Sequence, residues 1–143
     1  MADYWDTACL LKLYCIEEDS IDYIALVANA EEPLFTSQLT ETELYYALQQ
    51  KAQRNETQGQ SVEALFSLYQ RDLNANRIRL VPLREDVFRK ARELADQCYG
   101  AQPPVFLRTL DGIDLASAAL ASCKRLHSTN TRMRQASQLL NLF

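Results

Sequence analysis

A short aromatic run that ends on an acid and passes at once into a helical pattern constrains this chain more than any other stretch: Tyr4-Trp5-Asp6-Thr7-Ala8-Cys9-Leu10-Leu11-Lys12-Leu13-Tyr14. Residues 3–6 read as a buried strand, and Thr7 to Glu17 as a helix with Ala8, Leu11, Tyr14 and Cys15 on one stripe. A strand that feeds a helix belongs to an α/β sheet, in which ligands sit beyond the C-terminal ends of the strands. Asp6 falls at such an end. A carboxylate buried there needs a partner or an ion, so the opening points to a fold class and to a metal-dependent site together.

The rest of the chain keeps alternating. Asp19 to Asp22 starts a second helix, with Ile21, Ile24, Ala25 and Ala28 in helical period, and Pro33 stops it. Leu34 to Ser37 reads as a strand, and Thr40-Glu41-Thr42-Glu43 opens a third helix with Leu44, Tyr45, Leu48 and Ala52 as its apolar face. After a polar connection, Val62, Leu65, Phe66, Tyr69 and Leu73 mark a fourth helix, and Ile78 to Pro82 a third strand ended by its proline. Leu83, Val87, Phe88, Ala91, Leu94, Ala95 and Cys98 define the cleanest amphipathic helix. A loop at 100–104 leads to an alanine-rich helix from Leu110 to Leu126, a short strand Leu126-His127-Ser128, and a last helix from Thr131 to Leu140. This order predicts a three-layer α/β/α sandwich with a central, mostly parallel sheet. Without internal repeats, 143 residues are expected to make a single domain, 1–143.

Composition narrows the function classes. No segment approaches the ~18 apolar residues of a membrane span, and the N-terminus lacks the basic region of a signal peptide, so a cytoplasmic protein without membrane contact is expected. The four cysteines form no CxxC pair and the chain has one histidine, which argues against zinc and for reduced, buried thiols, Cys98 among them. The net charge of −4 predicts weak intrinsic affinity for RNA, or reliance on a local basic patch and bound cations.

Each acid of interest has a local explanation. Asp6 suits the N-cap of the first helix, Glu43 completes a Thr40-x-x-Glu43 capping box, and Asp111 suits the positive end of its helix dipole. Asp3, at an odd offset from Asp6, falls on the opposite face of the first strand and reads as solvated. Together Asp6, Glu43 and Asp111 are harder to explain locally. Strand ends and the helix starts that follow them share one edge of a doubly wound sheet. Three carboxylates meeting there need a cation, and oxygen-only ligands select Mg²⁺ or Mn²⁺. Such a site typically performs phosphoryl chemistry.

With these residues in view, the chain resembles the PIN domain family, in particular the stand-alone toxin ribonucleases of VapBC toxin–antitoxin pairs. The resemblance is carried by Tyr4-Trp5-Asp6-Thr7-Ala8, by Thr36-Ser37 through Glu43-Leu44 to Ala47-Leu48, by Leu107 through Asp111 to Ala116, and by Ser128-Thr129-Asn130-Thr131-Arg132-Met133. It implies a Mg²⁺-dependent endoribonuclease in which Asp6, Glu43 and Asp111 hold metal. It also implies an RNA substrate, a cognate antitoxin seated in a groove of the early helices, and a homodimer. Two positions depart from the family. Its last segment usually runs Thr-x-Asp, whereas this chain has Ser128 and the neutral Asn130. Asp114 stands where many relatives carry His. Asp111 and Asp114, three apart on a helix, share a face, so Asp114 is read as supplying the charge that Asn130 lacks; the alternative is an extra first-turn acid.

Among basic residues, Arg84, Arg89, Lys90 and Arg92 read as a self-paired face through Glu85/Arg89 and Asp86/Lys90, while Arg132 and Arg134 lie where RNA phosphates would pass. Tyr14, Tyr23, Tyr45 and Tyr46 are divided between core and partner groove. Other phosphoryl-transfer classes lack their residues: Ile78-Arg79-Leu80-Val81-Pro82 has no acid for a phospho-receiver, Asp6-Thr7-Ala8 is not a phosphatase Asp-x-Asp, and no P-loop is present. The remaining rival is a catalytically degenerate PIN-like module kept for protein binding.

Overall fold

The structure is a computed structural model and describes residues 2–143. Among these, four strands and seven helices alternate: β1 (Asp3–Trp5), α1 (Thr7–Leu11), α2 (Ser20–Ala28), β2 (Leu34–Ser37), α3 (Gln38–Gln53), α4 (Val62–Asn74), β3 (Ile78–Val81), α5 (Glu85–Gly100), α6 (Thr109–Leu120), β4 (Arg125–His127) and α7 (Thr131–Leu139). The sheet is wholly parallel in the order β3-β2-β1-β4. The order reverses beside β1, so the crevice where an α/β sheet binds ligands opens between the C-terminal ends of β1 and β4.

Alternation along β1 divides the core. Tyr4 packs with Val87 and Leu94 of α5, Leu115 and Ala118 of α6 and Met133 of α7 on one face. Trp5, its neighbour, packs on the other face with Leu10 of α1, Leu44 and Leu48 of α3, and Leu65 and Tyr69 of α4. The three-layer expectation is met. Leu48 is fully buried in the second cluster, and Leu48→Ala is expected to cost about 2–5 kcal/mol, read as a lowered midpoint in urea unfolding.

Several element ends differ from the sequence reading. The first helix stops at Leu11, not Glu17, because the next amides bond three residues back, Lys12 to Cys9 and Leu13 to Leu10. Lys12 then binds Glu17 and Asp19 (2.7 and 2.8 Å), while Lys51 of α3 binds Glu17 at 2.8 Å, which draws the following loop inward. The Ala-rich helix ends at Leu120 because Ser122 adopts a left-handed φ of 55° and Cys123 bonds back to the Ala118 carbonyl. Residues 125–127 form β4 beside β1 instead. On α2 the half-buried stripe against the core is Tyr23 and Val27, and Ile21, Ile24 and Leu26 face outward, Ile21 at 74% exposure.

Three local readings also change. Ser37, not Thr40, caps α3, accepting from the Leu39 amide at 3.1 Å. Thr40 lies inside the helix with its hydroxyl against that of Thr36, whose hydroxyl donates to the Trp5 carbonyl. The capping-box explanation of Glu43 therefore falls away. Asp3 is not solvated: parallel register sets it beside Arg125 and near His127, and it binds both (3.3 and 2.9 Å). On α5 the pairs formed are Glu85–Arg92 and Lys90–Glu93, in place of the i,i+4 pairs.

Candidate active site

Asp6 directly follows β1 and caps α1, its Oδ1 accepting from the Cys9 amide at 2.9 Å. It is buried. A residue in this position serves two ends: one carboxylate oxygen satisfies a helix amide, and the group as a whole stands at the C-terminal edge of the central strand. Glu43 comes from the second turn of α3, half-buried, and its Oε1 accepts from the Thr7 hydroxyl at 2.8 Å. Thr7 is the first residue of α1, so the start of one helix fixes the acid of another.

Asp111 and Asp114 come from the first turns of α6, as their spacing predicts. Asp111 Oδ2 accepts from Asn130 Nδ2 at 3.3 Å. Asp114 lies deeper, only 6% exposed, and accepts from the Tyr4 hydroxyl. Asn130, after β4, caps α7: its Oδ1 accepts from the amides of Arg132 (2.9 Å) and Met133 (3.3 Å). Those two bonds fix the orientation of the amide, so the group that Asn130 turns toward Asp111 is a donor. That bond holds the Asp111 carboxylate from the α7 side. Asn130→Ala removes a cap and should cost about 1 kcal/mol in thermal or urea unfolding, with Asn130→Ser restoring most of it, since Ser caps about as well as Asn and brings no charge near Asp111.

The acids feel one another. Burial, and then the charges of Asp6 and Asp111, raise the pKa of Glu43 against the Thr7 hydrogen bond. Burial and Asp6 raise Asp111, against the Arg108 amide and guanidinium and Asn130. Asp114 is pushed well above the usual carboxylate range by burial and then by Glu43, Asp6 and Asp111, although the Tyr4 hydroxyl favours its charged form. All four acids named from sequence therefore share one electrostatic environment. Like charges gathered this way favour either a proton or a cation.

The donor set is oxygen only, which suits a hard divalent cation. Each of the four carboxylates commits an oxygen to a donor of the protein, and each has a second. Among the described residues, no three His, Cys, Asp or Glu side chains stand close enough to enclose an ion in their present positions. The set fits such an ion in its donor chemistry.

Three contributors, Tyr4, Thr7 and Arg108, are not legible in the sequence as partners of the acids. Tyr4 and Thr7 were read as strand and helix residues, yet each donates to an acid. For Arg108 the available signal is its position three before Asp111 at a helix start. Ser128 is buried and accepts from the Asn130 amide at 3.0 Å, and its carbonyl accepts from Arg134 Nε at 2.7 Å. Arg134 is thus partly engaged in holding this loop, while Arg132 is exposed. A broad depression of about 780 Å³, lined by Asp3, Glu31, Pro33, Arg77 and Arg125 among others, lies at the opposite, N-terminal edge of the sheet. It does not touch the acids.

The family model of the PIN domain matches residues 4–139. Among solved structures, the chain is similar to VapC20, the sarcin–ricin-loop-cleaving toxin of Mycobacterium tuberculosis, at 12% identity and a TM-score of 0.70, over 94% of this chain and 95% of that one. It is also similar to a toxin–antitoxin complex from Klebsiella pneumoniae, at 18% identity and a TM-score of 0.59, over 91% and 88% of the two chains. At these identities the likeness is one of fold. No curated protein matches the sequence significantly.

Proposed function

The chain belongs to the PIN domain family, and on that premise we propose that it is a Mg²⁺-dependent endoribonuclease, the toxin of a type II toxin–antitoxin pair. The reading is supported by the placement of Asp6, Glu43, Asp111 and Asp114 at the C-terminal edge of the sheet, where Thr7 beside Asp6 donates to Glu43, Tyr4 of β1 to Asp114 and Asn130 to Asp111. Asp6, Glu43 and Asp111 would hold the ion, with Asp114 behind them. The ion would supply positive charge for the phosphodiester and its attacking water.

The chain's own residues do the rest. Thr7 and Asn130 orient Glu43 and Asp111 through their hydrogen bonds, as groups behind the ligands of a metal commonly do. Tyr4 keeps its proton, since burial and Asp114 raise its pKa, and so remains a donor to Asp114. Arg108 and Arg132 offer cationic contacts to the RNA backbone on either side.

Partners follow from the same reading. We take the exposed apolar stripe of α2 and the groove of about 270 Å³ between α2 and α4, lined by Leu13, Ile24, Val27 and Leu68 among others, as the seat of the antitoxin segment. Of the tyrosines, Tyr14 is core and Tyr23 packs edge-on to Trp5, whereas Tyr46 is exposed. A homodimer is expected. No helix among the described residues is long and apolar enough to cross a membrane.

Incubation with labelled single-stranded RNA tests the reading: cleavage with Mg²⁺ or Mn²⁺ that EDTA abolishes is expected. The separation of the acids and the neutral Asn130 favour one alternative, a degenerate module that binds protein. Absence of cleavage under every divalent cation, with antitoxin binding intact, would put that alternative ahead.

A further inference from the structure

We propose that Phe106 is a stacking platform for an unpaired base of the RNA substrate, with Arg108 beside it for the adjoining phosphate. The inference rests on the ribonuclease reading and names how that site would hold its strand. Phe106 lies in the extended segment between α5 and α6. Burial alternates along it: Phe106 is 63% exposed, Leu107 is buried in the core, and Arg108 is exposed. In extended backbone, residues two apart point to the same side. Phe106 and Arg108 therefore face solvent together, and Leu107 anchors the segment from beneath.

The segment is held in place. The Tyr99 hydroxyl donates to the Leu107 carbonyl at 3.0 Å and accepts from its amide at 3.3 Å. The Tyr99 ring meets Phe106 edge to face, with centroids 5.7 Å apart. This contact fixes the ring of Phe106 while leaving most of it in water. A fixed, exposed aromatic loses little freedom when a flat ligand settles on it.

Its place in the fold identifies the ligand. Arg108 is the N-cap residue of α6 and Asp111 lies three residues on, in the first turn of the same helix. The Phe106–Arg108 strip thus leads into the start of the helix that carries Asp111 and Asp114. Single-stranded RNA is held by stacking its bases on aromatic rings and by cations on its phosphates. Stacking also answers the charge problem, since a chain of net charge −4 draws little affinity from phosphate attraction alone.

The test is fluorescence anisotropy with a short, labelled, mixed-sequence single-stranded RNA, on the full chain carrying Asp6→Asn so that the probe survives. Phe106→Ala in that background should weaken binding about 5- to 100-fold. Phe106→Trp should restore it, Phe106→Leu should not, and an abasic strand should bind the parent and Phe106→Ala alike. In otherwise wild-type protein, Phe106→Ala should raise KM for RNA far more than it lowers kcat. Equal binding by parent and Phe106→Ala, rescue by Phe106→Leu, or a changed oligomeric state in place of lost RNA affinity would each overturn the proposal. If the wild type cleaves RNA while Phe106→Ala binds like its parent, only this inference falls. If the wild type neither binds nor cleaves, the ribonuclease reading falls with it.

Discussion

Asp6→Asn is expected to lower Mg²⁺-dependent RNA cleavage by about 100-fold or more, with the protein still folded. Asn is as good an N-cap as Asp, so the bond to the Cys9 amide that holds the start of α1 survives the substitution. What is lost is charge at the switch point. Even groups behind metal ligands are worth roughly 10- to 100-fold in affinity or activity, and a ligand itself is expected to reach or exceed that range. Initial rates on a labelled RNA across a Mg²⁺ titration, with thermal unfolding as the control for folding, measure both. Asp6→Asn that cleaves at the wild-type rate would remove Asp6 from the chemistry and leave it a helix cap.

Asp114→Asn is expected to move stability and ion binding in opposite directions. Asp114 is nearly fully buried, and burial with three neighbouring acids raises its pKa well above 3.8. An acid whose pKa is raised on folding favours the folded state at low pH, and this contribution is lost as pH rises from the unfolded value toward the folded one. Above the unfolded value the metal-free protein must either bind a proton at Asp114 or bury its charge, and either course costs stability. Asn keeps the shape without the charge, and can still accept from Tyr4. The variant should melt higher than wild type without divalent ions and should lose less stability between pH 4 and pH 7. Its Mg²⁺ or Mn²⁺ affinity should fall roughly 10- to 100-fold by calorimetry. Unchanged ion affinity would make Asp114 a first-turn acid with no part in the site.

Much of this arrangement was legible because its signals are short-range. The strand-to-helix passage at Asp6, the proline after Ile78–Val81 and the 3.6-residue stripe of α5 report local backbone and one buried face. Boundaries without such punctuation were not legible. Nothing in the apolar run from Leu110 to Leu126 marks the left-handed Ser122 that ends α6 and frees 125–127 to pair with β1. On α2 the helical period was right, but two apolar stripes compete, and which one is buried depends on Trp5, to which Tyr23 packs. In the site, the acids could be named because the alternation of strands and helices sets three of them, each locally explicable, on one edge of the sheet. Their partners could not, because the bonds of Tyr4 to Asp114 and Thr7 to Glu43 span 110 and 36 residues of chain. Which end of the Asn130 amide faces inward is likewise hidden in the sequence, because two backbone donors of α7 set it.

A crystal of the protein soaked in Mn²⁺ and measured at the manganese absorption edge brings the account to a single observation. The expected result is an anomalous peak at the C-terminal end of β1, with oxygens of Asp6, Glu43 and Asp111 drawn to coordination distance and Asn130 still donating to Asp111. A peak elsewhere, or none at millimolar Mn²⁺ with the four carboxylates unmoved, would contradict it.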